Sequence, residues 1–135
     1  MAESTASFRF KDFRLESLQF NQRSGKPASG ELTYGISFRG GHEEIEGEER
    51  TARVRLGLAL RWKDDPPFDL EIEASGVFNW TEDCQGDDLA RMLRGQAPAL
   101  IYTQIRPIVR LLAAEAGFTG FLLPTHNFLA EPVEP

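Results

Sequence analysis

The sequence predicts an α+β domain: a four-stranded antiparallel sheet followed by a long helix in two pieces.

 

Three observations carry this. Apolar and polar residues alternate with period two through the first eighty residues, as half-buried strands require. After Trp80 the apolar spacing becomes helical. A chain of 135 residues supplies one hydrophobic core, and no internal repeat or second unit interrupts it, so residues 1–135 read as a single domain.

The first element is a run of Phe8, Phe10, Phe13, Leu15, Leu18 and Phe20 whose phase changes twice. Such changes predict a long strand with bulges or a bend, which keeps its apolar residues on one side despite irregular spacing. The polar stretch from Asn21 to Gly30 follows as a loop. Leu32, Tyr34, Ile36 and Phe38 then alternate with Thr33, Gly35, Ser37 and Arg39, giving a second strand. Gly40 to Arg50 holds five glutamates in eleven residues and reads as another solvated loop. Its charge serves either solubility or docking of a basic partner.

The third strand is the cleanest. Val54, Leu56, Leu58, Leu60 and Trp62 lie on one face, with Arg53, Arg55, Gly57, Ala59 and Arg61 on the other. Phe68, Leu70, Ile72 and Ala74 repeat the pattern against Asp69, Glu71, Glu73 and Ser75. Between them Lys63-Asp64-Asp65-Pro66-Pro67 breaks both ladders and suits a hairpin. A register symmetric about Asp65 pairs Trp62 with Phe68, Leu60 with Leu70, Leu58 with Ile72 and Arg61 with Asp69. A slip of one residue would set apolar against charged side chains throughout.

Downstream, Asp87 or Asp88 is placed to cap a short helix from Leu89 to Arg94, and Gly95 interrupts it. Pro98 suits the start of a second helix carrying Leu100, Ile101, Ile105, Ile108, Val109, Leu112 and Ala116, with Gly117 as its stop. Pro107 is expected to kink it. The tail from Phe118 is apolar but punctuated. Residues 131–135, like 1–7, are expected to be flexible.

Composition narrows the function. Twenty-one acidic residues against 15 basic ones give a formal charge of −6, which repels nucleic acid. One cysteine, Cys84, forms no internal disulfide and points to a reducing, cytoplasmic setting. The start of the chain lacks the features of a signal peptide, and no run of about eighteen apolar residues appears, so no membrane insertion is expected. His42 and His126 are far apart, while Glu82, Asp83, Cys84, Asp87 and Asp88 read as capping and solvation rather than a metal site. No phosphate loop, serine elbow or Cys/His arrangement is present, so neither catalysis nor a cofactor is expected. What stands out is aromatic load, with ten phenylalanines, two tryptophans and two tyrosines. These rings either fill the sheet–helix interface, or some of them, namely Phe78, Trp80, Phe118, Phe121 and Phe128 at element ends, line an exposed groove or subunit contact.

The order of motifs in the second half resembles the SecB family of secretion chaperones. Gly76-Val77-Phe78 ends a strand. Leu93 to Tyr102, with Pro98 inside it, opens the helix and Arg106 follows one turn later. After Gly117, Leu122-Leu123-Pro124-Thr125-His126-Asn127-Phe128 closes the pattern. Leu15 to Asn21 resembles the family's first strand, so the likeness runs from Phe8 to Ala130.

The resemblance implies a four-stranded sheet with a long helix and an ATP-independent holdase that keeps unfolded polypeptides soluble in apolar grooves. It implies a homo-oligomer, a dimer of dimers joined through the first strand and the helix, here Leu18, Phe20, Ile101, Tyr102, Ile105 and Val109. It implies delivery of preproteins to the SecA motor through an acidic sheet face, here Glu71 and Glu73. Departures accompany it. The family's second C-terminal helix is missing or rudimentary in this chain, Ser17 and Asn21 stand where the family carries acids, and Thr103 replaces a helix proline that here falls at Pro107. The alternative is a noncatalytic interaction module, or a chaperone dedicated to an antitoxin, that does not bind SecA.

Overall fold

A computed structural model describes residues 8–23, 33–63 and 66–133. Four strands, β1 (Phe8–Gln22), β2 (Tyr34–Glu44), β3 (Thr51–Trp62) and β4 (Phe68–Trp80), form one antiparallel sheet in the order β1-β4-β3-β2. The β3–β4 ladder has the expected register, with Leu58 opposite Ile72 and Leu56 opposite Ala74. Trp62 and Phe68 meet edge to face at 5.2 Å beside the hairpin tip.

The irregular spacing of β1 has the anticipated cause. Its register against β4 shifts twice, between Lys11 and Arg14 and between Leu15 and Ser17, with Asp12 in the left-handed region at φ 53°. The two shifts leave Phe10, Leu15, Leu18 and Phe20 opposite Phe78, Ala74, Ile72 and Leu70, so all four lie on the core side.

The acidic stretch departs from expectation. Instead of a loop over Gly40 to Arg50, β2 continues to Glu44, paired with Ala52, and only 45–50 turn the chain. Polar side chains on both faces hide this end of the strand from any alternation test. It is held by backbone pairing and by Arg55, whose guanidinium lies 2.8 Å from the Glu43 carboxylate. The expected Asn21–Gly30 loop falls partly outside the described residues.

The helical half also differs in detail. Helix α1 (Gly86–Arg91) begins earlier than expected, with Gln85 at its N-cap, so Asp87 and Asp88 lie in its first turn rather than capping it. There they favour the positive end of the helix dipole. Gly95 does not end the helix. It sits in a π-helical turn, Met92–Gln96, that leads directly into α2 (Ala97–Glu115). A Cβ at Gly95 would come within 2.9 Å of Leu129, so glycine here lets the tail approach. The helix runs through Pro107 as α-helix and stops as anticipated. Gly117, at φ 97°, donates to the Ala114 carbonyl, and the Phe118 amide donates to Ala113 at 2.8 Å, the paired bonds of a Schellman ending.

One face of the sheet carries the core. Val54, Leu56, Leu58, Phe68, Leu70 and Ile72 are buried beneath Pro98, Ile101, Tyr102, Ile105, Val109 and Ala113 of α2. The tail closes one side of this layer. Residues 131–135 were expected to fray, yet Val133 is buried: its amide donates to the Arg94 carbonyl and its side chain fills the space that a Cβ on Gly40 would need.

Candidate functional site

The rings singled out from the sequence divide by environment. Phe78 and Phe128 are fully buried, and Trp80 and Phe118 nearly so, while Phe121 is half-buried. Phe78 stacks on Phe10 at 4.7 Å, and Phe118 packs on Phe68. Four of the five expected groove rings are therefore core in this chain. Their positions at element ends do not expose them: β1 covers Phe78, and the tail, though irregular, folds Phe118 and Phe128 back onto the sheet.

How it folds back creates the surface that the sequence reading missed. Tyr102 donates its hydroxyl proton to the Pro124 carbonyl, and Arg106 Nε donates to Leu123 O at 3.1 Å. Burial pushes the Tyr102 phenol up to about 12, against the opposing pull of Arg106, so it remains a donor at neutral pH. Asn127 Oδ1 accepts from the amides of Leu129 and Ala130 and turns the chain. His126 is thereby set against Phe38 and Phe128, at 4.7 and 4.4 Å between ring centres.

These bonds hold the tail beside β2 without sealing it. Tyr34, Ile36, Phe38, Pro124 and His126 line a pocket of about 410 Å³, within the range of ligand sites. Its apolar wall comes from one face of an edge strand. Phe121 lies beside it, 5.5 Å from the Tyr34 ring. The alternation of Tyr34, Ile36 and Phe38 was legible; their partner, the 122–128 segment, was not.

The expected assembly residues divide similarly. Ile101, Tyr102, Ile105 and Val109 are buried by their own sheet, and Phe20 is half-buried against Phe68. Leu18 is exposed, as is Leu15, at 37% and 41%. Both lie at the sheet edge on the same side as α2. The helix presents Leu100 and Leu111 outward, eleven residues apart and so on one face. The sequence reading chose the helix stripe that faces inward.

Glu71 is exposed and Glu73 partly so on the opposite, uncovered face of the sheet. Glu71 and Glu73 stand next to Gln19 and Ser17 of β1, and across β3 from Ser37 and Arg39, respectively. Among the described residues no three His, Cys, Asp or Glu side chains are grouped to hold a metal ion, and no helix is long and apolar enough to cross a membrane.

A family model described as preprotein translocase subunit SecB matches residues 6–130. The protein-export protein SecB of Idiomarina loihiensis is 30% identical over 87 residues, 64% of this chain and 52% of that protein. The SecB of Desulfotalea psychrophila is 32% identical over 63 residues, 47% of this chain and 40% of that protein. The chain thus spans about half the length of the curated relatives it matches. The Mycobacterium tuberculosis SecB-like chaperone Rv1957, solved in complex with a ChAD peptide from the HigA1 antitoxin Rv1956, superposes with a TM-score of 0.72 at 22% identity, covering 88% of this chain and 90% of that one. At that identity the likeness is one of fold. The family match covers nearly the whole chain, and the protein belongs to the SecB family.

Proposed function

We propose that this protein is a cytoplasmic, ATP-independent holdase that captures extended apolar segments of non-native polypeptides beside β2. SecB proteins are non-catalytic chaperones. The observation that carries the reading is the pocket of Tyr34, Ile36, Phe38, Pro124 and His126, an apolar wall on an edge strand. Each Å² of apolar client surface removed from water contributes roughly 25 cal/mol whatever the side chain, which suits capture without a strict sequence code. Phe121 extends this wall, and Phe128, packed edge to face on Phe38, supports it from the core.

Self-association uses the exposed leucines of β1 and α2, with Leu18 at its centre. Glu71 and Glu73 serve as the docking point for a partner such as the SecA motor. A second reading, a chaperone dedicated to an antitoxin, draws support from the likeness to Rv1957 and its peptide complex. Both readings use the same pocket.

The test is suppression of aggregation of a chemically unfolded model protein by the purified chain. Ile36→Lys is expected to lose most of that suppression while its melting transition stays close to the parent's. Equal suppression by the variant, or none by the parent, would overturn the reading.

A further inference from the structure

The uncovered face of the sheet is highly charged. Arg39, Arg53, Arg55 and Arg61 stand on β2 and β3, and Asp69, Glu71 and Glu73 on β4. Several of these charges are satisfied within the chain. Arg55 pairs with Glu43, Asp69 with Arg23, and Arg53 donates to Ser75, which in turn donates to Glu16. Among the described residues, Arg39, Arg61, Glu71 and Glu73 have no ion-pair partner.

These four charges surround one feature. Gly57 and Ala59 form the floor of a trough of about 180 Å³, with Arg39 of β2 on one side, Glu71 and Glu73 of β4 on the other, and Arg61 in line with the floor on β3. Register places Arg39, Gly57 and Glu73 in one row across three strands. Arg39 lies over Gly57, with its Nε 3.1 Å from where a Cβ would stand, so a larger residue would displace it. Arg39 and the glutamates are two strand spacings apart, roughly 9.6 Å, within about one Debye length at 0.1 M salt or below, and Arg61 is one strand from β4. At low salt a wholly basic segment entering toward the glutamates therefore meets the repulsion of Arg39 and Arg61 as well.

We propose that this trough docks a segment of a partner protein that carries both charges, with bases toward Glu71 and Glu73 and acids toward Arg39 and Arg61. It deepens the docking part of the reading above and is independent of client capture. In an extended segment successive side chains point to opposite sides, so alternating acid and base fits the arginines and the glutamates. The arginines act as selectors, disfavouring partners that are basic alone.

The experiment measures binding of three labelled synthetic peptides of equal length to the full chain at low salt, by fluorescence anisotropy. One alternates Lys and Glu, one Lys and Ala, and one Glu and Ala. The alternating peptide is expected to bind roughly tenfold more tightly than either other, the sum of two modest ion-pair contributions. Arg39→Glu combined with Arg61→Glu should transfer the preference to the Lys–Ala peptide and leave aggregation suppression unchanged. Equal or tighter binding of the Lys–Ala peptide by the parent, a preference that survives the double substitution, or no binding of any peptide would each overturn the proposal. Loss of suppression in the parent would instead strike the holdase reading and leave this one standing.

Discussion

The two edges of the sheet are finished differently. Strand β2 keeps an unbroken register with β3 from Tyr34 to Glu44, and its apolar side chains are half covered by the tail. Strand β1 is bulged twice against β4 and leaves Leu15 and Leu18 exposed, though they lie on the core side. An unpaired strand edge invites another chain. At β2 the molecule answers with its own tail, held by a few hydrogen bonds beside an open pocket; at β1 the apolar surface is left uncovered. The first arrangement suits an exchangeable occupant and the second a permanent neighbour.

Phe68 joins the two regions, touching Phe20 of β1, Trp62 of β3, and Phe118 and Phe121 of the tail. Phe68→Ala is expected to lower stability by about 3–5 kcal/mol, measured by denaturant unfolding, because the cavity undermines both edges together. A loss confined to the tail, with the sheet intact by amide exchange, would separate them. Gly40→Ala acts on the β2 edge alone. Its new methyl would stand 2.6 Å from Val133 Cγ1, and the expected cost is about 1–3 kcal/mol with faster exchange of the Val133 amide. Leu18→Lys acts on the β1 edge alone. It should change folding stability by less than about 0.5 kcal/mol, yet reduce the mass seen by light scattering. An unchanged mass would remove β1 from the assembly surface.

Legibility followed the physics of each segment. The β3–β4 register could be read because one face is buried and the other charged, so only one alignment avoids setting Leu60 or Ile72 against acids. The bulges of β1 announced themselves as phase changes. By contrast, Gly40 to Glu44 carry no alternation, and their pairing depends on a partner strand rather than on their own pattern. In the π-helical turn Gly95 receives Leu129, a contact between segments distant in sequence. For the same reason the site was only half visible. Tyr34, Ile36 and Phe38 identify a strand face, but an irregular run such as Phe118 to Phe128 reads alike whether it packs or hangs free, and only its hydrogen bonds from Tyr102 and Arg106 decide which rings become core.

The order β1-β4-β3-β2 also constrains how the chain folds as it is made. Strands β2, β3 and β4 form a meander of neighbouring hairpins, each closing a short loop, whereas Phe8 must wait for Trp80. Synthesis from the N-terminus therefore leaves the phenylalanine-rich first strand unpaired until β4 has emerged, and its docking is the long-range, slow step of folding. Until then the nascent chain itself exposes the kind of extended apolar segment that its finished pocket is proposed to hold.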